Sequence, residues 1–528
     1  DQPTSDGYKV TFADATDHLE IPSTTQAGWQ VVGTSLGTFV YKVDSDAVTE
    51  LNLLGNLGDA SYRQAGDLYG IILLPENATN RDINEARKLL IDRGASDGVT
   101  TQSLARFWRA RNDIVEFGLV DTSSGTDFTN AWRSCSSLTS FPAINASSGT
   151  SFQSAWRDCS SLTSFPEIDA SSGTNFIQAW SNCSSLTSFP AIDVSSGVDF
   201  TNAWQGCSSL TQFPAINASS GTNFTSAWQG CSSLTQFPSG AKLGTEAINV
   251  NFSNAWRDSG LTSFSTPLPT GNNLIQAWYN CNSLQIFSAE ITAGNLSYAW
   301  YNNTALSEFK TTDIKNCSNF TSAWQNCSAL TSFPQDAKLG TEASNVNFRS
   351  AWQSSGLTSF STPLPTATNL RSAFEDAVSL VSFNSQLPLA TNALFAWDNC
   401  SSLTSFDVSL PSLTAMYRAW AGCSSLTDFS VDVFSNWNPQ SISSGVFDFT
   451  WQGCTSLTAQ SVENILVPIA NSGKWATTSG LEGGTAIADA TIDIDYNVST
   501  GSLTAATLTA IETLNGRGWS VNINGVIQ

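Results

Sequence analysis

From Phe128 onward, apolar side chains return at every third or fourth position: Phe128, Trp132, Cys135, Leu138, Phe141 and Ile144. A polar stretch, Asn145–Thr150, then interrupts them and the figure starts again. Anchored on the aromatic, it repeats every 24 residues through Trp132, Trp156, Trp180, Trp204 and Trp228. It continues at spacings of 22 to 31 through Trp256, Trp278, Trp300, Trp324, Trp352, Phe374, Trp397, Trp420 and Trp451. A continuous helix is excluded, because Pro142 lies inside the figure and a Ser-Ser-Gly return closes each cycle. A long strand is excluded as well, because strict alternation is missing. The pattern predicts short stacked coils, each with one brief strand around "SLTSF", a bend at the proline and a turn back. Like residues would then lie in register about 4.8 Å apart. No such coil buries its apolar side alone, so the period marks a solenoid.

The cysteines follow the same clock. Cys135, Cys159, Cys183, Cys207, Cys231, Cys281, Cys327, Cys400, Cys423 and Cys454 each lie three residues after the aromatic, and Cys317 alone does not. Ser259, Asn303, Ser355 and Ala377 stand at that place in other units, so a disulfide framework lacks partners. Zinc would need a C-x-x-C pair or several histidines, and the chain has one histidine, His18. These thiols read as a buried ladder facing the neighbouring turn's backbone, beside the tryptophan ladder.

The motif "AW-x-x-CSSLTSFP" resembles the BspA-like bacterial surface leucine-rich repeats, whose units run "AF-x-x-C-x-x-L-t-x-I-x-x-P". Trp132 matches that family's aromatic, Cys135 its cysteine, Leu138 its leucine and Phe141 the apolar residue that follows. The resemblance covers about residues 128–460 and departs in its Trp and in its Ser-Ser-Gly return. It implies a curved solenoid displayed outside the cell, used in adhesion and in protein or glycan contact, without catalysis. Similar arrays are found in phage tail-fibre and virion surface proteins.

The expected fold is a leucine-rich-repeat-type β-solenoid of about 14 short coils, 22–31 residues each, over residues 121–454. Residues 1–120 lack the repeat and read as a small α/β head that caps or attaches the array. There "GYKVTF", "GWQVVG" and "TFVYKV" alternate as strands, "LYGIILLP" is a buried run, and "NRDINEARKLLIDRGA" and "TTQSLARFWRARND" read as helices. Residues 455–528 read as an α/β C-terminal cap, with helices at "LTAQSVENILVPIA" and "LTAATLTAIETLNGRG" and strands at "ATIDIDYNV" and "GWSVNING". A 96-residue duplication repeats the "AKLGTE" region, expected as two protruding loops on one edge.

Composition narrows the function. Of 528 residues only 12% are charged, with a net charge of −22, which argues against nucleic acid or an anionic membrane as partner. No apolar run is long enough for a membrane span. The chain opens at Asp1, from which processing or trimming of the N-terminus is expected. Asp489, Asp493 and Asp495 invite a calcium assignment but lack an EF-hand loop, so no metal and no cofactor is expected. N-x-S/T triplets are abundant (among them Asn145, Asn182, Asn217, Asn223, Asn251, Asn295, Asn316, Asn326 and Asn399) and read largely as products of an Asn-, Ser- and Thr-rich composition.

Two surface stripes remain as candidate binding sites. One follows the leucine: Thr139, Thr163, Thr187, Thr211, Thr235, and on through Thr262, Thr331, Thr358, Thr404 and Thr427. Its uniformity would form a flat hydroxyl ladder for a repetitive partner, although threonine also simply favours strands. The other follows the tryptophan and varies: Arg133, Arg157, Ser181, Gln205, Arg257, Tyr279, Tyr301, Glu375 and Asp398. Arg and Tyr are favoured contact residues. The expected function is recognition of a cell-surface glycan or protein receptor, on a cell envelope or virion. The alternatives are a structural subunit that self-assembles or docks through its N-terminal domain and, less favoured, a polysaccharide hydrolase.

Overall fold

Within each body, alternate N–H groups of the tryptophan segment reach forward from one coil to the following one. Phe128, Asn130, Trp132 and Ser134 donate to the carbonyls of Ser151, Gln153, Ala155 and Arg157 at 2.7–2.8 Å. The N–H groups between them, of Ala131, Arg133 and Cys135, turn back to the carbonyl three residues earlier. A chain of such turns needs φ > 0 at the third residue of every second one. Asn130 and Ser134 supply it at 57° and 62°, and the same two places are left-handed in each later coil. Further on, parallel bridges such as Ser164↔Ser188 and Asp169↔Asp193 tie the "TSF" and "ID" positions. Later coils lengthen the first of these into parallel two-residue strands, for instance Ser359–Phe360 against Ser382–Phe383. The coils form a parallel β-solenoid.

The computed structural model describes residues 103–106, 108–118, 122–443, 445–487 and 490–528, and the backbone alone at 28–34, 37–43, 68–75 and 270–272. It divides into two bodies, Asp1–Gly197 with Gly206–Leu210, and Val198–Gln205 with Thr211–Gln528. The predicted strand "GYKVTF", the helix at "NRDINEARKLLIDRGA", His18 and Asp489 lie outside the described residues.

The first body opens with β1 (Gly28–Thr34), β2 (Gly37–Val43) and β3 (Leu68–Pro75). With β4 (Ile114–Phe117) they make an antiparallel sheet in the order β3-β1-β2-β4. The predicted helix "TTQSLARFWRARND" is overturned. Residues 103–118 form one more coil, with left-handed Arg106 and Ala110 and with Trp108 stacked on Trp132 at 5.0 Å. The forward bonds of Leu104, Arg106, Trp108 and Ala110 outweigh helix propensity there, so the repeat starts before residue 120. One edge of β4 carries β2 and the other bridges Glu116 to Ser140, so the antiparallel strands cover the first coil's open edge.

In the second body the aromatic columns run from Phe200 and Trp204 to Trp451. Trp278, Trp300 and Trp324 stack at 5.5 and 5.2 Å, nearly parallel, and Phe287 and Phe309 meet Trp300 edge-on at 4.9 Å. All these rings are buried. The Nε1–H groups of Trp228, Trp256, Trp278, Trp300, Trp324 and Trp352 are buried and find no acceptor. The glycine of the early returns is a packing necessity: in the first body, a Cβ on Gly149 would sit 2.6 Å from the Phe152 ring.

The "AKLGTE" segments only partly protrude. Lys242–Leu243 pairs with Asn217–Ala218 and Lys338–Leu339 with Asp313–Ile314, with both leucines buried. The extra residues emerge after Gly244 and Gly340, whose left-handed backbone starts the bulge. Ile248 at the first bulge is 82% exposed.

The C-terminal elements follow the sequence reading: α1 (Ala459–Asn471) capped by Thr458, β5 (Thr491–Ile494), α2 (Ala505–Asn515) capped by Thr504, β6 (Ser520–Ile523) and β7 (Val526–Ile527). Here the aspartates find their use. The last coil has no successor, so Phe449 N–H donates to the Asp493 carboxylate at 2.8 Å and Gly453 N–H to Asp495 at 2.8 Å. Between them Trp451 N–H bonds the Asp493 carbonyl at 3.2 Å. Among the described residues no group of His, Cys, Asp or Glu could hold a metal ion. Replacing both aspartates with Ala should destabilise the second body by about 1–3 kcal/mol for each orphaned N–H. The Asn pair, which keeps an acceptor, should lose less. Amide exchange at Phe449 and Gly453 reads this directly: unchanged protection in the Ala pair would refute the capping role.

Candidate binding face

The threonine stripe is exposed at Thr139, Thr163, Thr187, Thr211 and Thr235, and many hydroxyls along it are occupied. Thr139 Oγ1 donates to Val115 O at 2.9 Å, Thr163 to Thr139 O and Thr187 to Thr163 O at 3.2 Å. In the second body Thr262 donates to Thr235 O at 3.1 Å and Thr427 to Thr404 O at 3.1 Å. Each of these threonines also sends its backbone N–H to the same carbonyl. At these threonines the ladder presents methyl groups and lone pairs outward rather than free donors.

Some of the N-x-S/T triplets have a structural cause that composition did not reveal. Asn223 Oδ1 accepts from Thr225 N–H at 3.1 Å and from its hydroxyl at 2.7 Å, and Asn251–Ser253 and Asn295–Ser297 repeat the arrangement. These Asx turns open the tryptophan segment and select Asn or Asp followed by Ser or Thr.

The thiols lie in a second interior column. Cys159 Sγ donates to Trp132 O at 3.1 Å, Cys207 to Trp180 O at 3.2 Å and Cys231 to Trp204 O at 3.3 Å. Cys135 and Cys183 do the same to Trp108 and Trp156. All eleven cysteines are free and buried. Burial pushes the Cys135, Cys207, Cys281, Cys317 and Cys327 thiols up to about 12. Such thiols are neither nucleophiles nor metal ligands near neutral pH.

The variable stripe is where neighbouring coils exchange side-chain contacts at the surface. In the first body Arg133 and Arg157 lie either side of Asp158, at 3.9 and 3.4 Å, and Arg157 donates to Gln178 Oε1 at 2.7 Å. Ser181 is buried. In the second body Gln205 donates to Gln229 at 3.3 Å. The Arg257 guanidinium then sits 4.7 Å above the Tyr279 ring, which stacks on Tyr301 at 4.9 Å and 8°. Tyr298, 37% exposed, tilts against Tyr301 at 5.8 Å. Beyond them Gln325 donates to Gln353 at 2.9 Å and Gln353 to Glu375 at 3.1 Å. Asp398 is buried and receives a fork from Arg418 at 3.0 and 3.3 Å. Burial raises the Glu375 and Asp398 carboxyls above the usual range, helped by Asp376, and for Asp398 in spite of the Arg418 bonds. Like stacks on like here, as the fixed coil spacing favours.

Sequence reasoning missed the residues two before the tryptophan. Ten coils place Asn, Ser or Gln at this left-handed position, from Asn130 and Ser154 to Ser350 and Ser372. Five place Arg106, Tyr298, Phe395, Arg418 and Phe449 there, at φ of 53–62°. The signal was present as a break in an otherwise small, polar column.

No known protein-family model matches the chain, and no curated protein matches it. Among solved structures it is similar to a leucine-rich repeat protein from Bacteroides ovatus, at 15% identity, covering 66% of this chain and 82% of that one, with a TM-score of 0.26. It is also similar to a leucine-rich repeat protein from Eubacterium ventriosum, at 13% identity, covering 61% and 78%, with a TM-score of 0.29. No helix among the described residues is long and apolar enough to cross a membrane.

Proposed function

We propose that this protein is a non-enzymatic recognition protein, displayed on a cell envelope or virion, that binds a glycan or protein receptor through the side of its solenoid. The supporting observation is the half-exposed Arg257–Tyr279–Tyr301 stack with Tyr298 beside it. Its rings are held rigid by neighbouring coils, so little side-chain entropy is lost when a partner lands on them. Arg133 and Arg157 form the corresponding surface of the first body. The threonine ladder, with most of its hydroxyl protons engaged, is the secondary surface. A glycan array, with purified surface proteins printed beside the sugars, tests the reading. Selective hits should weaken by about 1–2 kcal/mol with Tyr279→Ala or Tyr301→Ala. Hits that ignore both substitutions would refute the assignment to this stack.

A second reading, a self-assembling structural subunit, is favoured by one feature. The edge strand β7 leaves Val526 and Ile527 61% and 73% exposed, open to pairing with another chain. Filaments on electron-microscope grids, without array hits, would support that reading over the first.

A further inference from the structure

Bulky side chains in the left-handed region cost about 1–2 kcal/mol each, and such strain persists where the side chain serves something other than local stability. Phe395, Arg418 and Phe449 carry that strain in three successive coils of the second body. The strain buys no burial: Phe395 and Arg418 are half-exposed, and Phe449 is 40% exposed. Their rings join through Tyr417, Phe395 meeting it edge-on at 5.3 Å and Tyr417 meeting Phe449 at 5.7 Å. The Arg371 guanidinium lies 6.0 Å over Phe395. The result is an aromatic track that advances one ring per coil along the stack.

Charge narrows the occupant. Beside the track lie Glu375, whose carboxyl is held toward its neutral form by burial and by the acids around it, and Asp398, which is matched by Arg418. Cations and carboxylates alternate, so no single sign dominates and a strongly charged polymer gains little. A partner that fits offers apolar faces to the rings and hydroxyls to the exposed Arg371 and the half-exposed Arg418 and Glu375 side chains, and repeats at close to the coil spacing. We infer that the Arg371–Phe395–Tyr417–Phe449 track binds a neutral linear polysaccharide lying along the stack. This inference rests on the recognition role proposed above and names its ligand class at a second place, farther along the stack.

Affinity electrophoresis of the full chain tests it, in gels containing mixed-linkage β-glucan, galactomannan or dextran, with alginate as the anionic comparison. At least one neutral polysaccharide should retard the protein and alginate should not. Phe395→Asn and Phe449→Asn place a residue suited to φ > 0 at the strained positions. Each should weaken retardation about tenfold, near 1.4 kcal/mol, while the unfolding temperature holds or rises. The inference is overturned if no neutral polysaccharide retards the wild type, if both variants bind like it, if both Asn variants unfold at lower temperature, or if new reducing ends appear. Binding lost in Tyr279→Ala but kept in both Asn variants would leave the recognition role standing and overturn this site alone.

Discussion

Trp300→Ala is expected to destabilise the second body by about 3–5 kcal/mol, the range for emptying a fully buried large aromatic site. Trp300 has no exposed surface and touches two indoles face-on and two phenylalanines edge-on. The coils on either side hold their places through that ring, so the void cannot close without shifting both. Trp300→Phe should lose far less, under about 2 kcal/mol, because it removes an indole N–H that already lacks an acceptor. The chain itself contains this exchange: Phe374 stands in the column, 5.0 Å from Trp352 and 6.4 Å from Trp397. Urea unfolding of the two variants decides it. Equal losses would mean that the column is held by its backbone bonds and not by its rings.

The second large effect is alkaline unfolding. A thiol whose ionisation is raised by burial stays protonated in the folded chain after its unfolded counterpart, near 8.5, has lost its proton. The folded state then binds more protons, so stability is fully present below pH 8.5 and falls as pH rises toward 12. In the second body Cys281, Cys317 and Cys327 are pushed up to about 12, and burial raises Cys400, Cys423 and Cys454 as well. Each contributes about 1.4 kcal/mol per pH unit in that window, and the six together on the order of 8. Circular dichroism at fixed temperature should show cooperative loss of structure between about pH 9 and 10. Replacing Cys423 and Cys454 with Ala should flatten the pH dependence, whatever it does to stability at pH 7. A midpoint that stays at the same pH would refute the thiol origin.

The columns of Trp, Cys, Leu and Phe were legible because residues at one depth of successive coils share one environment, so their identities repeat. The C-terminal helices were legible from Thr458 and Thr504 just ahead of apolar runs. The coil at 103–118 was hidden because Arg111 replaces the cysteine and the Arg-rich segment reads as helix, although Trp108 lies 24 residues before Trp132. The left-handed places were hidden for another reason. Apolar periodicity says nothing about φ, and the run Ser134, Asp158 and Asn182 becomes meaningful only once Asn182 is seen donating to Asp158 at 2.9 Å. The aromatic track was missed because its members come from two different sequence offsets, two and three residues before the column aromatic, and meet only through the stacking of coils.

The forward-reaching bonds of the tryptophan segments have one more consequence. Their N–H groups all face one way and their carbonyls the other, so the peptide dipoles add, as in a helix and unlike an ordinary sheet. In the second body the positive pole falls on the last coil, where the carboxylates of Asp493 and Asp495 neutralise it. In the first body the negative pole falls on the coil that carries Arg106 and Arg109. Inserting or removing whole coils leaves these counter-charges in place, whereas truncating the stack before Asp493 would strand a positive pole in water.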